Sequence, residues 1–261
     1  MTQPDSAGVR MDEARPAVIV LAIDRPARHN ALNLAVKNRI ADLIEDLDQQ
    51  PAVHVIVIAG GPGVFAAGTD IAEMAALTPT EHTLKATDRM FTAIRHCATP
   101  VIAAVEGYAL GGGCELAMSC DLIIAGRSAR FGQPEIRFGV MPGAGATQRM
   151  VRTLGRYRTL RLLLTGEQIT GEEAYSMGLV SEVTPDGAAL ARALELAESI
   201  AAMPQLAVRA ILDVVGAGAD APMETALLLE RKAFQLLFDS HDQKEGMRAF
   251  LEKRPPEFRG K

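Results

Sequence analysis

The chain has 261 residues, 48% hydrophobic and 23% charged, with a formal net charge of −5. That length suits one large domain, or one domain with an accessory segment, and the composition is globular rather than disordered. The negative balance gives no general electrostatic reason to bind nucleic acid or an anionic membrane, and three cysteines with five histidines show no zinc spacing.

In chain order, Gly8 to Met11 and Ala17 to Ile23 read as strands joined by a turn over Asp12 to Pro16. Met1 to Ala7 before them is mostly polar, and the longest apolar runs fall far short of a membrane span, so a cytoplasmic address with reduced thiols is expected. Arg25 to Asn30 is a loop, and a helix follows with Leu34, Val36, Ile40, Leu43, Ile44 and Leu47 on its apolar face. Val53 to Ile58 is a strand, Thr80 to Cys97 a helix, and Pro100 precedes a further strand over Val101 to Val105. Glu115 to Cys120 reads as a short helix and Asp121 to Ala125 as a strand. Helices then dominate: Gly145 to Leu154, Tyr157 to Leu164 and Gly171 to Met177, a strand over Leu179 to Val183, and helices over Gly187 to Met203, Ala207 to Val215, Met223 to Phe238 and Asp242 to Lys253. Strands alternating with helices early in the chain predict an α/β layered core.

Two glycine-rich loops carry the chemistry. One runs Gly60-Gly61-Pro62-Gly63-Val64-Phe65-Ala66-Ala67-Gly68-Thr69-Asp70, and the other Gly107-Tyr108-Ala109-Leu110-Gly111-Gly112-Gly113-Cys114-Glu115. Each follows an apolar strand. Glycine lets the backbone approach a ligand closely and leaves N–H groups free to point at a bound oxygen, so two such loops can each give one N–H to a developing oxyanion. No phosphate-binding loop, nucleophile elbow, zincin signature or dinucleotide fingerprint occurs. Glu115 and Glu135 lie in apolar or glycine-rich surroundings, where a carboxyl can be poised for acid–base work. Their alternative roles are support of a helix N-terminus for Glu115 and an ion pair with Arg137 or Arg149 for Glu135. Asp70 after Gly68-Thr69 also reads as a helix N-terminal residue, and Asp121 as structural.

Taken together these segments resemble the crotonase (enoyl-CoA hydratase/isomerase) superfamily. The carrying motifs are Phe65-Ala66-Ala67-Gly68-Thr69-Asp70-Ile71, Gly107 through Ala117, Phe131-Gly132-Gln133-Pro134-Glu135-Ile136, Pro142 through Arg149 and Leu164-Thr165-Gly166. The resemblance spans about Val9 to Phe258. It implies a spiral of ββα units over residues 1–190 and a C-terminal helical trimerisation region over 191–261, giving a homotrimer or dimer of trimers. It implies backbone N–H groups of Thr69 and Gly112 on the thioester oxygen, Thr69 standing where the family often has alanine. It implies Glu115 activating water and Glu135 delivering a proton to C2, hence hydration of 2-enoyl-CoA to 3-hydroxyacyl-CoA. Isomerisation, or hydration of a branched or specialised acyl-CoA, is the alternative.

Substrate contacts implied by the resemblance fall on Ala67, Asp70 and Ile71. Arg28 would meet a CoA phosphate, though it reads equally as a solvated loop charge, and Phe250 and Lys253 would reach CoA, often that of a neighbouring subunit. No metal or cofactor is implied, coenzyme A being part of the substrate, and neither nucleic acid nor membrane is an expected partner. A noncatalytic CoA- or RNA-binding relative is disfavoured by the negative charge and by the presence of both glutamates. With the resemblance running nearly to the last residue, a monofunctional enzyme without a fused dehydrogenase domain is expected.

Overall fold

The computed structural model describes residues 3–61 and 63–261; Met1 and Thr2 at the start, and Pro62 in the first glycine-rich loop, lie outside the described residues. The first half contains β1 (Val9–Arg15), β2 (Val18–Ile23), α1 (Leu34–Asp48), β3 (Val55–Ala59), β4 (Val64–Ala66), α2 (Ile71–Met74), α3 (Pro79–Leu84) and α4 (Arg89–His96). Next come β5 (Val101–Val105), β6 (Tyr108–Leu110), α5 (Gly112–Ser119), β7 (Leu122–Gly126) and β8 (Arg130–Gly132). They are followed by α6 (Ala146–Leu154), α7 (Arg156–Thr165), β9 (Gln168–Thr170), α8 (Gly171–Ser176) and β10 (Glu182–Thr184). Four helices close the chain: α9 (Ala189–Ala201), α10 (Gln205–Gly218), α11 (Met223–Leu237) and α12 (His241–Glu252). Short 3-10 turns occupy Pro26–Arg28 and Pro134–Phe138.

Two sheets form. The larger has the order β1-β2-β3-β5-β7-β10, parallel throughout except for the β1–β2 hairpin. The smaller has the order β4-β6-β8-β9, parallel except for β8–β9. In each turn of the spiral one long strand enters the first sheet, a three-residue strand enters the second, and helix follows: β3-β4-α2, β5-β6-α5, β7-β8-α6. The period of two along the long strands sorts their side chains to two faces. Ile56, Ile58, Val101, Ala103 and Val105 meet α1, α4 and α5 in the main core, while Val55, Val57, Ile102 and Ala104 pack under α9.

Several expected boundaries are corrected. Asp12 to Arg15 is strand rather than turn, because Asp12 and Glu13 pair with Val20 and Ile19 on a sheet edge that tolerates polar side chains; the turn shrinks to Pro16-Ala17. The helix expected over Thr80 to Cys97 is two helices, broken at Ala86, whose φ of 43° is left-handed. The last parallel strand is Glu182–Thr184 rather than Leu179 to Val183, its register set by pairing with Ile124, Ala125 and Gly126. The second sheet was outside what strand patterning shows, since three residues carry no period.

Candidate active site

The loop Arg25 to Asn30 folds against the first glycine-rich segment. Buried Asn30 is held in the left-handed region at φ 54°; its Oδ1 accepts from Arg25 N–H at 2.8 Å and its Nδ2 donates to Val64 O at 2.8 Å. Leu32 N–H then donates to Gly68 O at 2.8 Å and Asp70 N–H to Leu32 O at 3.2 Å. This ladder fixes the backbone on both sides of Thr69 without using the Thr69 N–H. Asp70 Oδ1 accepts from Ala72 N–H at 3.2 Å and caps α2, the helix-terminal role read from its position.

The second loop brings Gly112 opposite. It is the first residue of α5, so its N–H has no acceptor within the helix. A Cβ at Gly112 would fall 3.3 Å from Thr69 N and 2.8 Å from Thr69 Oγ1, a measure of how closely the two loops approach. The helix starts three residues earlier than the expected Glu115, because Gly111 takes φ 50° and turns the chain into it. At Gly111 a Cβ would stand 2.6 Å from Glu135 Oε1, so glycine there leaves room for that carboxyl.

Glu115 is 3% exposed. Its Oε1 accepts from Ala144 N–H at 2.7 Å and Ala146 N–H at 3.0 Å, at the N-terminus of α6. The helix-supporting role is therefore real but belongs to α6, not to its own helix, and Oε2 has no protein donor among the described residues. Burial raises its pKa, opposed by the Ala146 and Ala144 amides and by the charges of Arg149 and Lys37. Glu135 sits half-buried on the second 3-10 turn, with no ion pair to Arg137 or Arg149; Arg137 instead donates to Gly166 O and Arg149 to Ala144 O. Burial, together with the nearby Glu115 charge, pushes the Glu135 carboxyl up to about 7. In the amide orientation that satisfies its surroundings, buried Gln133 donates to Glu135 Oε1 at 3.2 Å and Oε2 at 3.1 Å.

A cavity of about 610 Å³ joins these groups. Glu115, Glu135, Ala67, Thr69, Ile71 and Gly112 all line it. Burial raises both carboxyls, but only Glu115 is also held by two backbone amides and faced by the charges of Arg149 and Lys37. The two can therefore differ in proton affinity and serve as base and acid on one bound molecule.

A family profile described as Enoyl-CoA hydratase/isomerase matches residues 13–261. The chain belongs to the enoyl-CoA hydratase/isomerase family. It is 45% identical over 243 residues to a probable enoyl-CoA hydratase of Mycobacterium leprae, covering 92% of this chain and 93% of that one. It is 41% identical over 249 residues to the 2,3-dehydroadipyl-CoA hydratase of Escherichia coli, covering 94% and 96%. A crystal structure of an enoyl-CoA hydratase subunit from Geobacillus kaustophilus superposes with a TM-score of 0.94 at 41% identity, over 100% of both chains. The α/β crotonase fold with its C-terminal helices is thereby established, and the chain is an enzyme of this family.

Within this enoyl-CoA hydratase/isomerase family member, Arg28, Phe250 and Lys253 stand apart from the cavity. Arg28 ends the exposed 3-10 turn Pro26–Arg28, and that loop meets the cavity rim through Ala67 N–H donating to His29 O at 3.1 Å. Phe250 on α12 is 83% exposed and Lys253 caps the same helix in the left-handed region. The three cysteines are free, and burial lifts Cys114 to about 12, which makes it an inert packing group. No cluster of metal-ligating side chains occurs among the described residues, and no single described helix is long and apolar enough to cross a membrane. Sequence reading missed Lys37. It lines the cavity from α1, 7% exposed, with Nζ 3.3 Å from Thr69 Oγ1. Its signal was there: residues 37, 40, 41 and 44 share one helical face, and a lysine among Ile40, Ala41 and Ile44 is out of place unless it has work.

Proposed function

We propose that this enzyme hydrates 2-enoyl-CoA thioesters to 3-hydroxyacyl-CoA. The carrying observation is the pair of buried carboxyls, Glu115 anchored by two amides and Glu135 raised to about 7, in one cavity with the Thr69 and Gly112 amides, which have no acceptor among the described residues. The two N–H groups take the thioester oxygen, which draws electron density from C3 and stabilises the enolate formed when water adds. One such donor contributes roughly 3 kcal/mol to the transition state. Glu115, anchored through Oε1, leaves Oε2 to orient water and accept its proton as oxygen bonds to C3. Glu135 then gives its proton to C2. The step leaves Glu115 protonated and Glu135 ionised, and exchange of that proton between the two carboxyls restores them for the next turnover. Hydration is redox-neutral overall, so the reading calls for no redox group. Names of the relatives support it, since several are hydratases of enoyl-CoA thioesters. The test is loss of the conjugated enoyl-thioester absorbance of crotonyl-CoA on adding purified protein; absence of loss, with isomerisation of a 3-enoyl-CoA instead, would move the assignment to the alternative.

The pH profile follows from the same pair. Glu135 must hold its proton, so kcat/KM is expected to fall as pH rises through about 7, while the acidic limb reports protonation of Glu115. The steps belong to the coupled pair rather than to either residue. Glu115→Gln removes the negative charge that raises Glu135, whose carboxyl is then expected to titrate lower by infrared difference spectroscopy; an unmoved value would disconnect the two groups.

The C-terminal helices form the trimer, and Phe250 and Lys253 act on a neighbour's CoA. In support, α10 and α11 bury no residue completely, and Ile211, Val215, Leu228, Leu236, Phe250 and Leu251 are large apolar side chains left exposed, the kind that an interface covers. Light scattering at micromolar concentration is expected to give a trimer or hexamer mass; a monomer would remove this part of the reading.

A further inference from the structure

The hydration scheme leaves one buried charge unused. Lys37 carries three ammonium donors, yet its single hydrogen-bond acceptor among the described residues is Thr69 Oγ1 at 3.3 Å. It forms no ion pair there; Glu115, Glu73 and Asp88 act on it only through space, from α5, α2 and the start of α4. The Phe91 ring closes one side, its centroid 5.9 Å from Nζ. Burying a cation with two unfilled donors is costly unless something else accepts them, and the space they adjoin is the cavity. An acceptor that arrives with substrate resolves the cost.

We propose that Lys37 is a positioning residue of the oxyanion site: its ammonium holds the Thr69 hydroxyl, fixing the Thr69 N–H, and sets a positive charge beside the position where the thioester oxygen becomes an enolate. The inference rests on the hydratase reading and deepens it. Thr69 joins the two parts, since its hydroxyl takes the lysine and its own N–H faces the oxyanion. Gly112 fits the same arrangement, because a Cβ added there would meet that hydroxyl as well as Thr69 N. A charge on a side chain only 7% exposed acts more strongly on developing negative charge than the same lysine on a surface. It acts least on the neutral substrate. The effect therefore belongs to kcat rather than KM.

The test compares wild type, Lys37→Met and Lys37→Arg. Methionine keeps the length and apolar stem while removing a buried charge, so folding is not at risk, and a thermal melt checks it. With crotonyl-CoA, Lys37→Met is expected to lower kcat about tenfold or more while KM stays within about twofold, and Lys37→Arg to recover part of the loss. The second readout is acetoacetyl-CoA, whose enolate has its own ultraviolet absorbance. Wild type is expected to hold a larger enolate fraction than Lys37→Met at one pH, with both binding free CoA equally. An unchanged kcat, or an unchanged enolate fraction, would overturn the proposal. A loss carried wholly by KM would also overturn it and make Lys37 an acyl-binding group. Wild type that fails to hydrate any enoyl-CoA would end the hydratase reading instead, so the two failures are distinguishable.

Discussion

Glu135→Gln is expected to slow crotonyl-CoA hydration by about three orders of magnitude, the middle of the range for loss of a positioned proton donor. Glutamine matches the shape that Gly111 and Gln133 accommodate, so the cavity survives, but its amide has no proton of suitable acidity for C2. Glu115→Gln is expected to fall comparably for a different reason. The glutamine carbonyl oxygen still accepts from Ala144 and Ala146, which keeps α6 in place, yet the negative charge that would take the proton of water is gone. Because both act on one transition state, the double variant is expected to be little slower than the slower single variant. The measurement is kcat beside melting temperature. Turnover near wild type, in a folded single variant, would remove that glutamate from the mechanism.

Both glutamates were legible in the sequence because they are isolated charges in apolar or glycine-rich runs, where solvation gives no reason for them. The central parallel strands were legible for the same kind of reason: Val55–Ala59 and Val101–Val105 are continuous apolar runs, buried on both faces. What escaped was structure made by distant pairing. Strand Val64–Ala66 exists because Tyr108 and Ala109 lie beside it, and Arg130–Gly132 because Tyr108–Leu110 does; no local pattern announces a strand that short. The split of α3 from α4 escaped too, since Ala86 at φ 43° is an alanine like any other in the sequence. Asp70 was readable as a helix cap because that role is local. Lys37 was overlooked because the apolar face of α1 was read for its hydrophobic members and not for the charge among them. Arg28, Phe250 and Lys253 differ in kind. Their expected work depends on a bound CoA or a neighbouring subunit, and one chain alone leaves them at its surface.

Gly113→Ala is expected to damage both the stability and the activity of this enzyme. A Cβ at Gly113 would run into the carbonyl of Ala66 and its Cβ, where α5 rests on β4. Backbone cannot rotate away as a side chain can, so α5 and β4 must part, and overpacking of this kind costs about 1–3 kcal/mol, occasionally more. The movement is not confined to stability. Pushing α5 outward carries Gly112 N–H away from Thr69 N–H and tilts Glu115 from the amides of Ala144 and Ala146, and a shift of about 1 Å in such groups lowers rate by about a hundredfold. The adjacent Gly112→Ala makes a sharp comparison. Its Cβ meets Thr69 Oγ1 at 2.8 Å and Thr69 N at 3.3 Å, a side-chain clash that rotation of Thr69 can relieve at the cost of its Lys37 contact rather than by parting two backbones. Gly112→Ala is therefore expected to lose activity by crowding the oxyanion site while melting close to wild type, and Gly113→Ala to lose both activity and several degrees of melting temperature. Equal melting temperatures for the two variants would mean that α5 is not seated on β4 as tightly as its glycines imply.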